Sequence, residues 1–159
     1  MSMQNPESVT VQNLEAALAG ESMAHIKYLY FARICRAAGD IASAEIFEAT
    51  AAQEVQHAFG HMDLLYPKER LDPAKCLELA IEGETYEYTE MYPRFRHLAM
   101  EEQRHDAVAE FDEQIAESKE HADMFQAVLE KAAKRFAALT KVEQRHANHY
   151  QEALARISA

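Results

Sequence analysis

Leu14-Glu15-Ala16-Ala17-Leu18-Ala19-Gly20-Glu21 recurs as Leu77-Glu78-Leu79-Ala80-Ile81-Glu82-Gly83-Glu84. Two segments therefore share a pattern, and each ends on a glutamate. A second echo follows: Phe47, Glu54, His57 and Ala58 return as Phe136, Glu143, His146 and Ala147 at the same spacings. The chain reads as two similar helical hairpins. Between them lies a partial third copy, Phe111, Ser118, His121, Ala122 and Phe125, which matches Phe136, Glu143, His146, Ala147 and Tyr150 at an offset of 25. That offset is close to seven helical turns, so both copies project from one face. Only the later copy carries the glutamate.

Four glycines and four prolines punctuate the chain. A helix is expected from Thr10 to Ala38, ending at Gly39, and Asp40 is a natural N-cap for a second helix reaching Tyr66 before Pro67. Residues 67–72 read as the link between hairpins. Asp72 then Pro73 is a start signal, since proline at a first helical position loses no hydrogen bond. Pro93 should kink the third helix by removing one backbone bond and crowding the carbonyl of Thr89. From Arg94 to Ala159 there is no glycine or proline. A turn must nevertheless lie there, because one helix of that length would run ~100 Å.

With 159 residues the chain is expected to form one domain with its own core. A net charge of -11 argues against nucleic acid and anionic membranes as partners. Cys35 and Cys76 lie in unrelated segments, which fits a reducing compartment and excludes a four-cysteine module within these residues. Met1 to Thr10 is polar and lacks signal-peptide character. No apolar run approaches the ~18 residues of a membrane span. A cytoplasmic location is expected.

A Glu-x-x-His pair places a carboxylate and an imidazole on one helix face, within reach of one metal ion. Among 21 glutamates and eight histidines there are three such pairs. Glu102 with His105 lies in a charged run and reads as solvated surface. Glu54 with His57 and Glu143 with His146 each follow an apolar position by seven residues, and each is preceded by a hairpin partner bearing Gly-Glu. Glu21 and Glu84 complete the layout of a di-metal carboxylate bundle. Carboxylates converging on one interior would repel one another unless cations compensate. The mixed oxygen and nitrogen donor set suits iron or manganese, alone or as a mixed pair, with zinc as a redox-silent alternative. Glu87, one turn after Glu84, offers an extra carboxylate where the first hairpin has Ala24. Tyr28 and Tyr92 lie where a phenol reaches a ligand carboxylate, or else packs as core. Met91, Met100 and Met124 read as packing residues.

These residues resemble the rubrerythrins, the peroxide-reducing branch of the ferritin-like proteins. The resemblance lies in Asn13-Leu14 through Gly20-Glu21-Ser22, Tyr28-x-x-Phe31-Ala32, Phe47 through Glu54-x-x-His57-Ala58, Gly83 through Pro93, and His146 through Gln151, and covers most of residues 10–157. Gly83-Glu84-Thr85-Tyr86-Glu87-Tyr88-Thr89-Glu90-Met91-Tyr92-Pro93 is its most specific part. It implies an all-α, ferritin-like four-helix bundle with two iron ions, Glu21, Glu54, His57, Glu84 and Glu87 matching directly. Glu87 corresponds to the family's extra, redox-movable carboxylate, and Tyr28 and Tyr92 to partners of the ligands. The last ligand helix admits two alignments. Without gaps from Pro93, Ser118 and His121 fall at the Glu-x-x-His position, with Glu117 as a substitute carboxylate and residues 130–157 as an appendage. With about 25 inserted residues, near 100–125, Glu143 and His146 fall there. The second is the expectation, since it restores both ligands and extends the C-terminal hairpin.

The resemblance further implies a peroxidase, with hydrogen peroxide reduced to water by electrons from a separate rubredoxin-like carrier. Two other readings stand beside it: iron oxidation by oxygen, as in ferritins, and a metal-free helical interaction module. A homodimer is expected, with hairpins exchanged between subunits as one form of it.

Overall fold

The computed structural model describes residues 5–157, without the side chains of residues 152, 153, 155 and 157. All regular structure among the described residues is helical. Helices α1 (Val9–Ala37) and α2 (Ile41–Leu65) form a first hairpin, followed by one 3-10 turn at Lys68–Arg70. Helix α3 (Pro73–Tyr86) runs through a π-helical turn, Glu87–Met91, into α4 (Tyr92–Glu101), and α5 (His105–Ile157) returns along them. The chain divides at Asp72 into two compact units, one hairpin in each.

In the first hairpin, Gly39 adopts φ 81°, a conformation that costs glycine little. Its N–H bonds the Arg36 carbonyl at 3.0 Å and the Asp40 N–H bonds that of Cys35 at 3.0 Å, a Schellman ending for α1. Asp40 then caps α2, its Oδ1 accepting from the Ser43 N–H at 3.1 Å. Buried Ala32, Ala44 and Ala51 let the two helices approach closely. His25 donates from Nδ1 to the Ala51 carbonyl at 2.8 Å, and Arg36 forks onto Glu48 at 2.7 and 2.6 Å.

The second hairpin repeats this plan with one residue added. Its turn falls at 102–104, where Gln103 takes φ 58° and the same Schellman bonds recur, Gln103 N–H to Met100 O at 3.1 Å and Arg104 N–H to Ala99 O at 2.9 Å. Arg96 forks onto Asp112, the counterpart of Glu48 at an offset of 64. Upstream the offset is 63, from Glu21 to Glu84. The extra residue is housed in the π-turn, where the Tyr92 N–H reaches back five residues to the Glu87 carbonyl. Pro93 follows directly and has no N–H to give to Thr89. At Pro93, where a kink is expected, the regular helix is interrupted by this π-turn on its N-terminal side.

Residues 100–125, expected as an insertion, instead form the end of α4, the turn, and the length of α5 that packs on α3 and α4. Extrapolating the register of the Glu84–His121 and Glu87–Ser118 contacts sets Pro73 level with Ala132. Beyond it α5 continues for ~37 Å at 1.5 Å per residue.

Candidate metal centre

Within the first hairpin, α1 brings Glu21 and α2 brings Glu54 and His57 to one place, with one ligand atom from each lying within 4.8 Å of the others. His57 Nδ1 is 2.9 Å from Glu54 Oε2 and 3.9 Å from Glu21 Oε2. Both carboxylates are half-buried, whereas the imidazole is exposed. Two hard oxygen donors and one borderline nitrogen form a set that fits iron or manganese.

In the second hairpin, Glu84 Oε1 lies 3.5 Å from His121 Nδ1, and the Ser118 hydroxyl donates to Glu87 Oε2 at 3.0 Å. Ser118 is 3% exposed, the one buried polar residue among those described. His121 follows His57, and Ser118 follows Glu54, by the 64 residues that also separate Phe47 from Phe111 and Tyr28 from Tyr92. The expected occupants of this corner, Glu143 and His146, are exposed and lie ~37 Å further along α5. The structure thus sets the ungapped pair, Ser118 and His121, beside Glu87 and Glu84, and leaves the gapped pair apart from them. The side chain of Glu117, the alternative carboxylate, is also exposed. Glu102 and His105 are exposed at the turn, as expected of surface.

Tyr28 packs its ring on Phe47 with centroids 5.9 Å apart, and Tyr92 packs on Phe111 at 6.1 Å. Among the described residues neither hydroxyl makes a hydrogen bond to a ligand carboxylate. Burial, reinforced by the charges of Glu87, Glu84 and Glu110, holds the Tyr92 phenol above its ordinary pKa. It therefore keeps its proton at neutral pH.

Residues 12–129 match the family model for rubrerythrin. The chain belongs to the rubrerythrin family. Nigerythrin of Nitratidesulfovibrio vulgaris is 35% identical over 128 residues, covering 73% of this chain and 63% of nigerythrin's own length. Rubrerythrin-1 of Clostridium acetobutylicum is 31% identical over 135 residues, covering 76% of this chain and 69% of its own. A solved structure of fully reduced, all-ferrous nigerythrin aligns over 83% of this chain and 71% of its own at 33% identity, with a TM-score of 0.40. As a rubrerythrin, this chain is an all-α protein of the ferritin-like fold with a di-iron centre implied by its family. The matched residues include Glu21, Glu54, His57, Glu84, Glu87 and His121 and end before Glu143 and His146. No described helix is long and apolar enough to cross a membrane.

Proposed function

We propose that this rubrerythrin is a non-haem di-iron peroxidase that reduces hydrogen peroxide to water with electrons from a separate carrier such as a rubredoxin. One observation carries the reading: each hairpin sets a glutamate of its first strand of helix against a histidine on its return helix, Glu21 with His57 and Glu84 with His121. Glu21, Glu54, His57, Glu84, Glu87 and His121 are the proposed ligands, replacing the sequence-based choice of Glu143 and His146. Iron held there would supply two electrons and Lewis acidity, so that one peroxide, two electrons and two protons give two waters.

The chain's own residues then have distinct tasks. Ser118 restrains Glu87 through its hydroxyl, which suits a carboxylate that binds in one state and withdraws in another. Tyr92 keeps a proton on Oη close to those acids and is the proposed donor, with Tyr28 its counterpart in the first hairpin. Cys35 and Cys76 are both free, which supports a reducing setting for these residues.

Stopped-flow oxidation of the reduced, iron-loaded protein tests the activity. Peroxide is expected to oxidise it much faster than oxygen, and rapid oxidation by oxygen with peroxide inert would replace this reading with ferritin-like iron oxidation. Iron analysis tests the ligands. His121→Ala is expected to lose iron, and His146→Ala to retain it.

A further inference from the structure

Helix α5 carries its packing pattern further than its hairpin requires. From Val108 through Ser118, Ala122 and Phe125 to Ala132, residues three and four apart form the buried or half-buried seam against α3 and α4. The same spacing continues without a phase break through Phe136, Leu139, Glu143, His146 and Tyr150. There Phe136 is 70%, Leu139 57% and Tyr150 73% exposed. In proteins most helical stability comes from packing of an amphipathic face. A 3,4 repeat is the signature of coiled-coil pairing.

The seam is complementary to itself in one orientation. Running antiparallel about a two-fold axis between residues 144 and 145, a second copy sets Leu139 opposite the partner's Tyr150 and Glu143 opposite the partner's His146, each pairing occurring twice. Phe136 lies one turn further out at both ends. A parallel pairing instead faces Glu143 with the partner's Glu143, like charges in an apolar seam. Polar residues at single seam positions are what fix register and orientation in coiled coils.

We propose that the exposed half of α5, residues 133–150, is a homotypic interface that joins two copies as an antiparallel coiled coil, with Glu143 and the partner's His146 as its register lock. It lies beyond the family match at residues 12–129 and does not depend on the peroxidase reading. The Glu-x-x-His of this segment, read from sequence as a metal pair, then serves assembly.

Sedimentation equilibrium on the iron-loaded chain of residues 1–159 tests this, with iron content measured on every sample. Leu139→Asp and Glu143→Lys are each expected to halve the assembly's mass at micromolar concentration with iron unchanged. Combining Glu143→Lys with His146→Glu sets lysine against glutamate across the antiparallel seam and is expected to restore the mass. In a parallel pair the same double variant faces lysine with lysine and stays dissociated, which would overturn the orientation. Wild-type mass in both single variants would overturn the interface, and loss of iron in Glu143→Lys would return this segment to the metal centre.

Discussion

Ser118 stands where the first hairpin has Glu54, and it supplies a neutral donor where its counterpart supplies a negative acceptor. Its hydroxyl steadies Glu87, the carboxylate with no equivalent in the first hairpin. Ser118→Ala removes that donor from a half-buried acid that water reaches in part. Urea unfolding of the metal-free protein is therefore expected to show a loss of ~1 kcal/mol, the net worth of such a bond. Ser118→Glu should do the opposite things to the two forms. It sets a new carboxylate beside Glu87 in a tight position, destabilising the metal-free protein by ~1–3 kcal/mol, while isothermal titration should show tighter iron binding than in the wild type. Equal destabilisation of both forms would show that position 118 does not face the metal.

The helix termini explain which parts of the fold were legible. Asp40 and Pro73 announced their helices because a side-chain cap and an N-terminal proline are local chemistry. The Ser43 hydroxyl and N–H hold the Asp40 carboxyl below its ordinary pKa, so the cap's contribution is present above the unfolded value and fades as pH falls through the folded one. Asp40→Ala should accordingly lower the melting temperature at pH 7, and its difference from wild type should shrink in acid. The second turn was not legible, because Gln103 takes a left-handed conformation without glycine or asparagine to advertise it. With that turn unplaced, two copies of one pattern on the same helix face competed for the last ligand corner, and the later copy was preferred because it alone carries the glutamate. Glu21, Glu54 and His57 needed no such choice, since Gly39 fixed their register. The π-turn was hidden for a related reason: a single inserted residue leaves no mark in composition. Because both flanks stay in phase with the uninserted first hairpin, deleting Tyr88 is expected to leave the melting temperature unchanged or raised. Deleting Ala107, within the regular α5 helix, should lower it sharply.

The described core of both hairpins is dominated by alanine, with Leu65 the largest fully buried side chain. Each buried alanine contributes little compared with the ~1.5–3 kcal/mol of a large aliphatic residue, so hydrophobic burial leaves room for another source of stability. Bound iron would supply one, because a ligand that binds only the native state stabilises it by mass action. At free iron a thousandfold above Kd the gain is ~4 kcal/mol, and at ~2–4 °C per kcal/mol for a chain of this size the melting temperature should rise by roughly 8–16 °C. Anaerobic melting with ferrous iron and then with a chelator measures that difference directly. Glu54→Ala should abolish the iron-dependent rise because it removes a ligand half-buried beside Glu21 and His57. Glu143→Ala should keep the whole of it, since that carboxylate lies seven turns from the acids of its own hairpin. A rise absent from the wild type as well would mean that the paired acids hold no metal, and that the helices serve association alone.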